Sequence, residues 1–83
     1  MGEVICVYKV MPDSPGSLES VKKVLEELEP EKVEEEPVAF GLVALKATFI
    51  IPDGSGVLEE LEEKLEKIPK VGSVENILTT RGL

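Results

Sequence analysis

The sequence predicts an α+β fold: a two-layer sandwich of four antiparallel strands in the order 4-1-3-2, with both helices on one face. Three observations carry that reading. Residues 4–11 and 42–51 are almost wholly apolar and rich in β-branched side chains, as central strands are. Each run is followed by Pro/Gly breakers and then by apolar positions at helical spacing. A Phe-Gly pair at 40–41 lies between two strand-like segments and divides the chain into two strand-helix-strand halves. Right-handed crossovers applied to that order give the ferredoxin-like βαββαβ arrangement. With 83 residues the chain is read as one domain, 1–83, near the lower limit for a self-sufficient core.

The first strand, 4–11, carries a single charge, Lys9, and ends at Pro12-Asp13-Ser14-Pro15-Gly16-Ser17, where Ser14 or Ser17 is placed to cap a helix. Leu18, Val21, Val24, Leu25 and Leu28 mark one face of that helix, which is expected to run to Glu29 and stop at Pro30. Residues 32–38 alternate, are polar and contain Pro37, which suits an edge strand. The second central strand, 42–51, is interrupted only by Lys46 and Thr48 and breaks at Pro52-Asp53-Gly54-Ser55-Gly56. Val57, Leu58, Leu61, Leu65 and Ile68 trace the second helix, closed by Pro69 and Gly72. Residues 73–80 complete the order as a short mixed strand. Lys9 and Lys46 are expected to face solvent on the open side of the sheet.

With the third strand taken as parallel to the first, and the second and fourth as opposed to both, the Phe40-Gly41 turn and Thr79-Thr80-Arg81-Gly82-Leu83 fall on the same rim. An apolar knob and the only arginine would then share one candidate site.

Composition narrows the function. Seventeen acidic against nine basic residues give a net charge of −8, which repels phosphate backbones and favours a basic protein partner. Such a charge also keeps a small domain soluble. There is no histidine, and Cys6 is the only cysteine, so a disulfide, a zinc cluster and histidine-based acid–base catalysis all lose their usual residues. No P-loop is present, so the chain is not itself a GTPase, and no nucleophile–base pair recommends catalysis. The acidic runs 34–36, 59–60 and 62–63 lack calcium-loop spacing; Glu60 with Lys64 and Glu63 with Lys67 read as ion pairs on an exposed helix. Catalytic residues, metal ligands and cofactors are therefore not expected. A membrane span, a signal peptide and direct nucleic-acid binding are not expected either, and a cytoplasmic location follows. The Glu/Lys-dominated charge, with one Asn and no Gln, leans toward a heat-adapted source.

Turns are usually polar, so the apolar segment Pro37-Val38-Ala39-Phe40-Gly41-Leu42 either folds back on the core or enters a partner. Phe40 could close the end of the sandwich or project from it. Arg81 lies in the tail. The stretch Glu35-Glu36-Pro37-Val38-Ala39-Phe40-Gly41-Leu42, with Lys9-Val10-Met11-Pro12 closing strand one, the apolar strand running to Pro52-Asp53 and the short C-terminal strand ending in a basic tail, resembles the archaeal elongation factor 1-beta family. That family is equivalent to the C-terminal exchange domain of its eukaryotic counterpart. The resemblance implies guanine-nucleotide exchange on elongation factor 1-alpha, the GTPase that delivers aminoacyl-tRNA. It implies that Pro37, Val38, Ala39, Phe40 and Gly41 and a basic tail residue meet that partner. Eukaryotic members carry lysine next to last, where this chain has Gly82; Arg81 is the nearest basic residue. The alternative is a ferredoxin-like regulatory domain that binds a small molecule and self-associates. RNA binding through the open sheet face would need stacking aromatics, which the strands there do not supply.

Overall fold

Alternation along β1 (Glu3–Pro12) decides which side of the sheet is covered. Cys6, Tyr8 and Val10 are wholly buried, and Leu45, Ala47 and Phe49 match them along β3 (Val43–Pro52). The same apolar cluster takes in Val21 and Leu25 from α1 (Leu18–Glu27), Leu61 and Leu65 from α2 (Val57–Glu66), and Ile68 just beyond it. One cluster shared by both helices places both on one face of the sheet. With β2 (Lys32–Pro37) and β4 (Val71–Arg81) at the edges, the strand order is β2-β3-β1-β4 and every neighbouring pair is antiparallel. The predicted ferredoxin-like sandwich is therefore found. This computed structural model describes residues 2–81; Met1, Gly82 and Leu83 lie outside the described residues.

Local differences have local causes. The first helix ends at Glu27, two residues before the expected Glu29. There Leu28 and Glu29 bond back to Leu25 and Glu26, and Glu29 takes a left-handed conformation (φ 58°) ahead of Pro30. Ser14 and Ser17 occupy cap positions without capping through their side chains. Instead the two hydroxyls lie 3.0 Å apart and the buried Ser17 donates to Asp13 Oδ1 at 2.7 Å, tying the loop to itself. The last strand is longer than expected at both ends, because pairing with β1 begins at Val71 opposite Pro12 and continues past Thr80 to Arg81 opposite Val4.

Strand direction corrects the predicted rim. β1 and β3 run antiparallel, not parallel. The tight hairpin forces β3 to oppose β2, while the crossover through α1 leaves β1 and β2 alike in direction, so β3 must oppose β1. The hairpin turn accordingly lies beyond the Val10–Leu45 pair, near the end of β1. Arg81 sits opposite Val4, whose other neighbour is Ile51, at the start of β1. From Val43 to Ile51 the strand covers roughly 26 Å at about 3.3 Å per residue. Phe40 and Arg81 therefore occupy opposite ends of a molecule 42 Å long.

The uncovered face is as expected for the lysines: Lys9 and Lys46 are cross-strand partners there, with Glu36 4.0 Å from Lys9. Toward the Arg81 end that face turns apolar, with Ile50 and Leu78 exposed.

Candidate functional site

The hairpin tip is built on a backbone that its residues do not favour. Val38 N–H donates to the Leu42 carbonyl at 2.8 Å, and Leu42 N–H donates to the Ala39 carbonyl at 3.3 Å. Between them Phe40 has φ 63° and ψ 32°, and Gly41 has φ 75°. These are the angles of the central pair in a type I′ turn, whose twist suits a two-strand hairpin and whose usual occupants are Asn-Gly or Gly-Gly. Gly41 fits without strain. Phe40 does not: a left-handed conformation costs an L-residue with a side chain about 1–2 kcal/mol, and bulky residues are outliers there.

Among the described residues no packing contact offsets that strain. Phe40 is 96% exposed, the most exposed large apolar side chain among the described residues. It is not part of the buried cluster; of the two placements open to it, Phe40 takes the projecting one. Pro37 and Ala39 are exposed beside it, while Val38 and Leu42 are half-buried at the base of the tip. Pro37 faces Val43 as the last pair of the β2–β3 ladder, so the turn is held on a paired stem. The structure thus gathers Pro37, Val38, Ala39, Phe40 and Gly41 into one projecting knob, and leaves Arg81 at the other end.

At that other end the backbone is relaxed and the interest lies in charge. The Arg81 guanidinium donates through Nη1 to Asp53 Oδ2. The pair borders a cavity of about 300 Å³ whose walls include Val4, Gly54, Leu58 and Thr79, beneath the start of α2. In the sequence Asp53 stands in the breaker that closes the second central strand, with nothing beside it to suggest a partner. Its pairing with Arg81 became legible only with the correct strand direction, which brings the end of β3 and the end of β4 to the start of β1, on either side of it.

Between the ends lies a polar contact that belongs to the core. The wholly buried Tyr8 packs edge-on to Phe49, with ring centroids 6.5 Å apart, and its hydroxyl donates to Glu62 Oε2 at 2.8 Å. Burial, and then the Glu62 carboxylate, push the Tyr8 phenol well above its ordinary range, with Asn76 opposing. Burial and the Glu62 charge likewise push the Cys6 thiol up. Protonated groups shielded in this way make poor nucleophiles. Among the described residues no group of three His, Cys, Asp or Glu side chains is placed to hold a metal, and no helix is long and apolar enough to cross a membrane.

An exposed aromatic on a left-handed turn sets the hairpin tip apart from the rest of the described surface. Comparison with known proteins places the chain in a family. The family model described as the EF-1 guanine nucleotide exchange domain matches residues 5–81. The chain belongs to that family. Elongation factor 1-beta of Methanobrevibacter smithii is 49% identical over 89 residues, covering 100% of this chain and 99% of the relative. Elongation factor 1-beta of Methanothermobacter thermautotrophicus is 44% identical over 81 residues (90% and 91% covered), and that of Haloarcula marismortui is 44% identical over 80 residues (89% and 91%). The match includes both ends of the molecule, the hairpin tip and Arg81 alike. An exchange-factor role is the functional class of this family, and the relatives' names place it in translation elongation.

Proposed function

We propose that the chain promotes GDP release and GTP reloading on elongation factor 1-alpha during translation elongation, acting in the cytoplasm and without a cofactor or bond chemistry of its own. The observation that carries this reading is Phe40, 96% exposed on a left-handed turn, in a chain of the exchange-domain family. An exchange factor has only to bind the nucleotide-free GTPase better than the nucleotide-bound one. By reciprocal linkage, each ~1.4 kcal/mol of that preference weakens nucleotide binding tenfold. Burying a phenylalanine in a partner pocket supplies about 1.5–3 kcal/mol. The net charge of −8 speeds encounter with a basic GTPase surface.

Pro37, Val38, Ala39 and Gly41 set the knob's shape in this reading, and Phe40 fills the pocket. Arg81 makes a second contact by offering its fork of donors to phosphate or carboxylate groups near the nucleotide's magnesium end. Because the two contacts lie at opposite ends of the domain, the GTPase has to be engaged along the length of the sandwich, and one compact pocket cannot receive both.

The test is release of a fluorescent GDP from purified elongation factor 1-alpha. The parent chain is expected to accelerate release and Phe40→Ala to lose most of that acceleration while melting within a few degrees of the parent. A variant that melts early yet exchanges normally when folded would return Phe40 to a packing role and overturn the reading.

A further inference from the structure

The exchange reading gives Arg81 a task at the partner but leaves open how a side chain at the end of an edge strand is aimed. We infer that Asp53 is a positioning residue for Arg81, holding its guanidinium at the start of α2 so that the remaining donors point outward. This rests on the exchange reading above.

Asp53 is well placed to be the fixed member of the pair. It follows directly on β3, and its N–H donates to the Gly2 carbonyl at 3.1 Å, which pins it across the start of β1. Arg81 is the last residue of β4 and faces Val4, so Val4 is flanked by Ile51 on one side and Arg81 on the other. The ion pair thus spans three strands and fastens the free end of the edge strand to the middle of the sheet. Among the described residues Asp53 is the ion-pair partner of Arg81.

Holding Arg81 does not consume it. The guanidinium carries five donors and the bond to Asp53 engages Nη1. The Arg81 side chain stays 76% exposed and that of Asp53 37% exposed, so the acid is the more covered of the two and the base stays open to solvent. A planar fork fixed on one side presents its other donors in a defined direction, which lowers the ordering a partner must impose. An exposed pair holds only weakly and is screened by salt, so the expected effect is modest.

The contact is read directly by the {1H}–15N heteronuclear NOE of Arg81 Nε–Hε in the free domain. We expect a restrained signal in the parent, a mobile one in Asp53→Asn, and recovery toward the parent in Asp53→Glu. In GDP release from elongation factor 1-alpha, Asp53→Asn should lower the maximal rate about two- to fivefold, a size consistent with an exposed ion pair. The concentration giving half-maximal rate should stay within about twofold, as expected when orientation and not docking is lost. Asp53→Glu should regain most of the rate, and Asp53→Asn/Arg81→Ala should be no slower than Arg81→Ala alone. Equal Arg81 mobility in the parent and Asp53→Asn would overturn the inference, as would additive losses in the double variant. A parent chain that does not accelerate release at all would overturn the exchange reading and this role with it. That outcome is distinguishable because the NOE contrast would still report the clasp.

Discussion

The two ends of the sandwich solve opposite problems. At the hairpin tip the backbone is strained and the side chain has nothing to touch: Phe40 sits at φ 63° and is 96% exposed. At the far end the backbone follows the sheet and the side chain is held, with Arg81 paired to Asp53. One end keeps a conformation that the fold alone does not reward, and the other keeps a charge that is partly satisfied at home. Strain in a position where nothing internal benefits is the kind of outlier from which function is properly inferred. A surface ion pair is commonplace and carries far less information on its own. The tip should therefore dominate exchange and the arginine should tune it.

The largest effect that could break this comparison is at Phe40. Asn suits the left-handed position of a type I′ turn far better than Phe does. Phe40→Asn should relieve about 0.5–1 kcal/mol of strain, raising the melting temperature by roughly 2–6 °C for a domain of this size. The same substitution should slow GDP release from elongation factor 1-alpha roughly 30- to 100-fold, as expected for loss of a central aromatic anchor. A variant that is both more stable and nearly inactive would show that the strain is kept for the partner. A destabilised variant would show that the tip is packed in some way that exposure does not reveal.

Arg81 should matter less. Arg81→Ala is expected to slow release about five- to tenfold, with a smaller loss in affinity for the nucleotide-free GTPase, and the defect should shrink when magnesium is chelated. Rates equal to the parent at physiological magnesium would remove Arg81 from the mechanism and leave the tip to work alone. Ionic strength separates the two ends further. Between about 0.05 and 0.5 M salt the Debye length falls severalfold, so the Arg81→Ala defect should diminish while that of Phe40→Ala stays nearly constant. Parallel salt dependence of both defects would mean that the tip also works through charge.

How much of this was legible in the sequence follows from which interactions are local. The two central strands, both helices and the Pro37-bearing edge were readable because apolar periodicity and Pro/Gly breakers act within about ten residues. The knob at 37–41 was readable because Phe-Gly in a turn violates the usual polarity of turns. What the pattern did not show was that Phe40 itself, and not only Gly41, takes the left-handed conformation; the signal was present in the preference of two-residue hairpin loops for primed turns. The shared rim of Phe40 and Arg81 failed for a different reason. It depended on strand direction, a property of the whole topology: β2 and β3 both run opposite to the expected direction while β4 opposes β1 as expected, which moves the hairpin tip, not the tail, to the other end of the sheet. Asp53 was missed with it, since residues 28 positions apart meet only once that direction is right.

The smallest effect on exchange is expected between the ends, at Tyr8. Its hydroxyl bonds to Glu62 inside the helix-covered layer, remote from both contacts, so Tyr8→Phe should leave GDP release within about twofold of the parent. It should lower stability by about 0.5–1.5 kcal/mol, the usual worth of one hydrogen bond. The pH dependence identifies the cause. Burial and Glu62 hold the folded-state phenol above its ordinary value of 10.0, so above pH 10 the unfolded chain sheds a proton that the folded chain keeps. The stability that Tyr8 contributes is therefore complete below pH 10 and declines as the pH rises beyond it. Melting curves of the parent should fall more steeply between pH 10 and 12 than those of Tyr8→Phe, which has no phenol to lose. Cys6 bends both curves in the same sense, because its thiol is also held above its ordinary value, so only the difference between the curves reports Tyr8. Superimposable slopes would mean that Tyr8 does not govern alkaline stability. A large exchange defect in Tyr8→Phe would overturn the larger division drawn here, since the core would then be shaping the contacts as well as holding them apart.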